Sequence, residues 1–168
     1  MTEREKRAHR CCFTGHRPEK LSMPEAAVVA ALQKVIRQAI ADGFHVFLSG
    51  MARGVDLWAA EAVLRLRDAD RSVKLIYASP YPGFKERWGR EWQGRYQQVM
   101  AQADLVRFIS PRHHPACFQR RNEWMVDHAA RVIAVWNGQP SGTKNTIDYA
   151  ARRGVPIITI PQTAPRTP

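Results

Sequence analysis

The sequence predicts an α/β fold, a doubly wound and mainly parallel sheet of about six strands with helices on both faces. Short apolar runs alternate with segments of helical period along the chain. The runs are apolar at successive positions, which is typical of strands that are buried on both faces. Each connection is long enough for a helical crossover, which is right-handed in such sheets. The 168 residues, 45% of them apolar, fit one domain.

The strands are predicted first, because their apolar runs are the clearest signal. They are expected at residues 10–14, 45–49, 73–78, 105–109, 131–136 and 155–160. Between the first two strands, Ser22 and Glu25 form a capping-box pattern with Pro24 in the first turn. Gly43 ends that helix.

The remaining helices fill the other connections. One begins near Asp56, a short one surrounds residues 120–129, and another covers residues 146–154. A long helix is expected between the third and fourth strands, where aromatic and apolar residues recur at i+4 spacing. They are Phe84, Trp88, Trp92, Tyr96 and Met100. Such a stripe is more typical of a core than of a ligand site.

The chain divides into three parts by composition. Residues 1–9 form a basic N-terminal segment, residues 10–160 a single domain, and residues 161–168 a Pro/Thr-rich tail that we expect to be flexible. The N-terminus has no apolar signal region, and no apolar run is long enough for a bilayer. We therefore expect a cytoplasmic protein with no membrane partner.

The charge is strongly basic. The 26 lysines and arginines exceed the 15 acidic residues by 11, which favours phosphorylated or polyanionic partners. The basic residues are spread along the chain, so a solvated basic surface is an equal alternative.

Cysteine and histidine predict no special chemistry. Cys11, Cys12 and Cys117 are odd in number and two are adjacent, which argues against a disulfide framework. The segment "HHPAC" at 113–117 lacks a second cluster of ligands at zinc-site spacing. We expect no metal site and no cofactor.

Glycine and hydroxyl residues cluster where the strands end. The segments are "TGHRPEK", "SGMARGVD", "SPYPGF" and "WNGQPSGTKNT". Ligands of open parallel sheets bind beyond the carboxyl ends of the strands. Exposed backbone N–H groups, helix N-termini, hydroxyls and an arginine such as Arg17 suit phosphate. Neither G-x-G-x-x-G nor a Walker A motif is present.

Four segments together resemble a known family. "CCFTGHRPEKL", "SGMARGVDLWAAE", "RRNEWMVDHAARVIAVWNG" and "SGTKNTIDYA" are similar to the YpsA-like family of the SMF/DprA–LOG (SLOG) superfamily of Rossmann-like domains. The resemblance covers residues 10–160, and "LSGMARGVD" also resembles a segment of DNA-processing protein A (DprA). It implies a Rossmann-like SLOG domain with a nucleotide-type ligand over the strand ends.

The resemblance implies a set of ligand-binding residues, carried over by position. They are Thr14, Gly15, His16, Arg17, Ser49, Gly50, Ala52, Gly54, Asp56, Asn122, Met125, Gly138, Gly142, Thr143 and Thr146. At Gly50 we expect the missing Cβ to serve ligand approach more than backbone conformation.

Whether the protein is an enzyme stays open, but the residues at the predicted site argue against catalysis. LOG relatives hydrolyse nucleotide N-glycosidic bonds with a Gly-Thr-x-x-Glu motif, and the glutamate position here holds Thr146. A threonine supplies neither a general acid nor a carboxylate. Glu61 and His16 are the weak catalytic candidates. A surface glutamate and a turn histidine are the ordinary interpretations of these two residues.

Three functions therefore compete. The first is a sensory or regulatory protein that binds a nucleotide or an ADP-ribose-like molecule. The second is a nucleotide N-glycosidic-bond hydrolase, the LOG-like phosphoribohydrolase. The third is DprA-like binding of single-stranded DNA, for which Trp58, Tyr81 and Trp136 could stack on bases. A homodimer is a further expectation, by analogy with other doubly wound domains.

Overall fold

A computed structural model describes residues 1–162 and shows six strands and six α-helices among them. The strands are β1 Arg10–Gly15, β2 Val46–Ser49, β3 Lys74–Ser79, β4 Leu105–Phe108, β5 Arg131–Trp136 and β6 Ile157–Pro161. The helices are α1 Glu3–Arg7, α2 Glu25–Ala41, α3 Val55–Ala69, α4 Arg90–Gln102, α5 Cys117–Asp127 and α6 Gly142–Arg152.

The strands form one parallel sheet in the order β4-β3-β2-β1-β5-β6. The predicted α/β fold, with its mainly parallel six-stranded sheet, is confirmed. From β1 the chain first winds outward through β2, β3 and β4, and it then returns to place β5 on the other side of β1. The carboxyl ends of β1 and β5 therefore flank the switch point, where doubly wound sheets bind ligands.

Two apolar clusters cover the two faces of the sheet. The larger one contains buried side chains of α2, α3 and α4, such as Leu32, Leu57 and Val99. The smaller one contains side chains of α5 and α6, such as Met125 and Ala150. All three cysteines are buried and free. The helices on both faces hold the carboxyl ends of the strands in fixed positions.

The prediction for the long aromatic helix was wrong at its start. Helix α4 begins only at Arg90, and residues 81–88 form consecutive turns and bends. Pro82 lacks a backbone donor and Gly83 has a φ of +82°, so the chain turns there instead of continuing as a helix. Phe84 and Tyr96 are nevertheless buried, as predicted for a core stripe.

The predicted capping box of α2 is also wrong. Pro24 itself is the N-cap and has an extended backbone, with φ −67° and ψ 157°. Glu25 is therefore the first residue of the helix instead of the third, too early to close the box. The backbone N–H of Ser22 donates instead to Gln162 Oε1, at 3.2 Å.

Both ends of the described chain are structured. Thr2 and Glu5 close a capping box at the start of α1, inside the predicted basic segment. Pro161 ends strand β6, so the first residue of the predicted tail belongs to the sheet. The rest of that prediction, residues 163–168, lies outside the described residues. Within residues 1–162, no helix combines the length and the apolar character needed to cross a membrane.

Candidate functional site

A cavity of about 430 Å³ lies at the switch point. The segments that follow β1 and β5 form two of its sides, and the N-termini of α3 and α6 contribute the others together with α5. Nine of the predicted ligand-binding residues line it. They are Thr14, Gly15, His16, Arg17, Ala52, Asp56, Asn122, Gly142 and Thr143. We call this space the switch-point cavity.

Two predicted residues of the segment after β2 shape the backbone instead of lining the cavity. The Ser49 hydroxyl donates to the carbonyl of Asp56 at 2.8 Å and accepts from the backbone N–H of Met51 at 3.0 Å. Gly54 has a φ of +92°, and a Cβ there would lie 2.6 Å from the carbonyl oxygen of His16. Both residues fix the turn that brings α3 against the segment after β1.

Gly50 is small because an arginine lies against it, which corrects the expectation of ligand approach. A Cβ on Gly50 would lie 2.5 Å from Cζ of Arg121. The Arg121 guanidinium donates through Nη1 to the Gly50 carbonyl at 2.8 Å and through Nε to Asn122 Oδ1 at 2.9 Å. Arg121 is only 4% exposed and lines the cavity. The missing side chain therefore makes room for a cation at the cavity wall.

Asp56 brings a buried carboxyl to the same cavity. It is 6% exposed, and its Oδ1 has no hydrogen-bond partner within the described residues. Burial raises the pKa of Asp56 to about 6, and the charge of Arg121 and a backbone hydrogen bond from Ala52 oppose that rise. A buried carboxylate oxygen without a donor is costly, so Asp56 is poised to accept a hydrogen bond from a bound molecule.

His16 connects the two segments that flank the switch point. Its Nε2 accepts a hydrogen bond from the backbone N–H of Asn137 at 3.1 Å, so the ring is neutral with its proton on Nδ1. Burial lowers the pKa of His16, which keeps the ring uncharged. The Asn137 amide also donates to the Lys20 carbonyl at 3.1 Å. His16 is therefore a structural acceptor here, and Nε2 carries no proton to donate.

The mouth of the cavity is cationic. Arg17 and Lys20 line it with exposed side chains, and neither makes an ion pair within residues 1–162. Helix α6 starts at the opposite side, where the first N–H groups, those of Gly142 and Thr143, have no intrahelical acceptor. The Ser141 hydroxyl caps the helix by accepting from the Lys144 N–H at 3.2 Å. These donors and charges suit an anion at the mouth.

Three further predicted residues lie outside the cavity. Met125 is buried in the α5–α6 core cluster, because it is on the apolar face of α5. The Thr146 hydroxyl donates a hydrogen bond to the Gly142 carbonyl at 2.9 Å, one turn earlier in α6. Gly138 has a φ of +84° and serves the turn after β5.

Glu61 does not belong to the site either. It accepts two hydrogen bonds from Arg95, at 2.6 Å and 3.2 Å, and thereby joins α3 to α4. Glu61, one of the two catalytic candidates, is therefore an interhelical ion-pair partner.

Sequence reasoning missed several lining residues. They are Lys20, Arg121, Asn137, Gln139, Pro140 and Ser141. The sequence pattern could have identified Arg121. Cys117, Arg121 and Met125 follow i+4 spacing, and an arginine on such a buried stripe is rare. The pair Asn137-Gly138 could likewise have been identified, because Asn-Gly is typical of a turn. In the structure, Asn137 Oδ1 accepts a hydrogen bond from the Gln139 N–H at 2.9 Å.

The described chain offers no cluster for a metal ion. No three histidine, cysteine, aspartate or glutamate side chains of residues 1–162 come together in that way. In the "HHPAC" segment, His114 Nε2 pairs with the Ser110 hydroxyl at 3.0 Å and Nδ1 accepts from the Ala116 N–H.

Curated relatives match most of the chain. A UPF0398 protein of Bacillus pumilus (strain SAFR-032) is 28% identical over 138 residues, which are 77% of this chain and 74% of the relative. The SPbeta prophage-derived protein YoqJ of Bacillus subtilis (strain 168) is 29% identical over 118 residues, covering 63% of this chain and 69% of that protein.

Solved structures share the fold. DNA processing protein A of Helicobacter pylori, described for its single-stranded DNA binding mode, aligns with a TM-score of 0.67 at 21% identity, over 96% of this chain and 68% of its own. DprA of Streptococcus pneumoniae aligns with a TM-score of 0.68 at 20% identity. That alignment covers 95% of this chain and 52% of DprA.

A family model also matches most of the chain. The YpsA model, described as the YspA SLOG family, matches residues 11–157, which include every strand start from β2 to β6 and all the residues that line the switch-point cavity. The chain belongs to this SLOG family.

Proposed function

We propose that this protein is a cytoplasmic nucleotide-binding protein of sensory or regulatory type, and that a phosphorylated nucleoside occupies the switch-point cavity. One observation carries the proposal. The cavity places an unpartnered carboxyl oxygen of Asp56 in its buried wall and unpaired cations, Arg17 and Lys20, at its mouth. Membership of the SLOG family supports the same kind of ligand.

The two ends of the cavity favour different parts of one molecule. Asp56 accepts hydrogen bonds and repels anions, so it suits a sugar hydroxyl or a base amino group. Arg17, Lys20 and the N-terminus of α6 suit phosphate oxygens. A nucleoside phosphate carries hydroxyl donors and an anionic group on one molecule, as does an ADP-ribose-like molecule. Inorganic phosphate alone can contact only the donors and charges at the mouth of the cavity.

The hydrolase function receives less support from the site. Glu61 is engaged by Arg95, Nε2 of His16 accepts a hydrogen bond, and Thr146 stands at the glutamate position of the LOG motif. Incubation with adenosine 5′-monophosphate and ADP-ribose, followed by chromatography, separates the two functions. We expect both compounds to be recovered intact, and release of free adenine would contradict the non-enzymatic proposal.

Calorimetric titration tests the binding itself. We expect adenosine 5′-monophosphate to bind about tenfold or more tightly than adenosine, because charge-assisted phosphate contacts contribute about 1.5–3 kcal/mol. Inorganic phosphate should bind more weakly than the monophosphate, because it leaves Asp56 without a donor. Equal affinity for adenosine and its monophosphate would contradict the assignment of the mouth.

A further inference from the structure

A second depression of about 700 Å³ adjoins the switch-point cavity. Four aromatic side chains, Phe84, Trp88, Trp92 and Phe118, and three arginines, Arg17, Arg53 and Arg87, line it. We call it the aromatic groove. It shares Arg17 and Ala52 with the switch-point cavity, so the two spaces meet at a cation.

The aromatic side chains of the groove differ in exposure: Phe118 is exposed, Trp88 and Trp92 are half-buried, and Phe84 is buried. Phe118 is 42% exposed although it lies in the first turn of α5, and its ring contacts Tyr81 edge-on at 6.1 Å. Trp88 is half-buried and packs edge-on against Phe84 at 5.0 Å. Planar rings held by such contacts offer stacking surfaces that do not need to reorganise.

The arginines of the groove are available in different degrees. Arg17 and Arg87 are exposed and make no ion pair within the described residues. Arg53 is bound to Glu19 at 2.7 Å. Two unpaired guanidinium groups lie beside one exposed and two half-buried aromatic rings. This is the pattern by which proteins bind unpaired bases and their phosphates.

We propose that the aromatic groove binds the second nucleotide of a single-stranded nucleic acid whose terminal nucleotide occupies the switch-point cavity. The terminal nucleotide is the one with the free 3′-hydroxyl, so its 5′-phosphate also joins it to the second nucleotide. This phosphate lies at Arg17, the residue common to both spaces. The inference rests on the proposed function for the terminal nucleotide. The formal charge of +11 favours a polyanionic strand over a small dinucleotide, and duplex DNA keeps its bases away from the rings.

Two substitutions test the groove, each with a matched control. Phe118→Ala removes an exposed ring from the groove, and Phe108→Ala removes a ring of similar exposure from β4, outside it. Arg87→Ala removes a groove cation. Arg71→Ala removes an exposed one between α3 and β3, at the opposite end of the sheet. Circular dichroism confirms folding of all four variants.

The probes are 5′-phosphorylated hexathymidylate, thymidine 5′-monophosphate, and a blunt-ended duplex of about 20 base pairs, which is long enough to stay annealed. We expect the single strand to bind at least about tenfold more tightly than the monophosphate. Phe118→Ala and Arg87→Ala should each weaken strand binding by about three- to tenfold and leave the monophosphate unchanged. The two control variants should bind both probes like the wild type.

The outcomes separate this inference from the proposed function. If the monophosphate binds but the strand binds no better, or the groove variants bind the strand normally, the groove inference fails and the proposed function stands. If the strand binds through Phe118 but neither thymidine 5′-monophosphate nor adenosine 5′-monophosphate binds, the groove stands and the proposed function fails. A duplex that binds as tightly as the single strand would also overturn the groove inference.

Discussion

Gly50 illustrates how one small residue serves a neighbour instead of a ligand. Its carbonyl and its missing Cβ together accommodate the Arg121 guanidinium. We predict that Gly50→Ala destabilises the protein by about 1–3 kcal/mol, because Arg121 is enclosed and cannot move aside freely. Urea unfolding measures the loss. Gly142→Ala is the control, since a Cβ there meets nothing within 4 Å. An unchanged unfolding midpoint for Gly50→Ala would contradict this role.

Asp56 couples stability to pH. Because burial raises its pKa from 3.8 to about 6, the folded protein holds the proton more tightly than the unfolded chain. The contribution of Asp56 to the free energy of unfolding is therefore greatest at low pH and is lost as the pH rises from about 4 to about 6. Relative to Asp56→Asn, the wild type should lose unfolding free energy across that range, measured by urea unfolding. Asp68→Asn, an exposed change on the same helix, is the control. A difference independent of pH would refute the coupling.

Arg17 is predicted to act on the ligand and not on the fold. Its side chain is exposed and makes no ion pair within residues 1–162, so Arg17→Ala should leave the melting temperature unchanged. Loss of one charge-assisted contact should weaken adenosine 5′-monophosphate binding by about 1.5–3 kcal/mol, measured by calorimetry. Arg71→Ala provides the matched charge control. Normal affinity in Arg17→Ala would remove this residue from the site.

At the scale of elements, the ion pair between Glu61 and Arg95 joins two neighbouring helices. Both side chains are partly buried, at 20% and 23% exposure, and Arg95 also bonds to Glu25 on α2 at 2.6 Å. Glu61→Ala should therefore destabilise the protein by about 1–2 kcal/mol, between the values for surface and buried pairs. Chemical unfolding measures this loss, and nucleotide affinity should stay at the wild-type value. A loss of binding without a loss of stability would restore Glu61 as a site residue.

The elements themselves were largely predictable, and the exceptions have local causes. Strands such as 131–136 are predicted well because buried parallel strands are apolar throughout. The start of α4 was wrong because aromatic spacing at i+4 says nothing about the turn forced at Pro82 and Gly83. The sequence correctly predicted that the backbone at Gly50 and Gly54 has close neighbours. A glycine does not identify the neighbour, so the contact with Arg121 could not be predicted.

At the scale of the molecule, the topology brings distant segments to one place. The order β4-β3-β2-β1-β5-β6 sets the segment after β1 beside the segment after β5, although more than 100 residues separate them. Clusters of glycine and hydroxyl residues at strand ends were enough to predict that meeting. The position of Arg121 under Gly50 was not predictable, because it depends on how α5 packs beneath the ends of β2 and β3.

Nucleotide binding at the switch-point cavity can be mapped residue by residue on the folded protein. A ¹H–¹⁵N NMR titration with adenosine 5′-monophosphate reports every backbone amide at once. We expect the largest shifts at residues 14–17, 52–56 and 137–143, which surround the switch-point cavity. Shifts confined to other regions, or no shifts at millimolar nucleotide, would contradict nucleotide binding at this site.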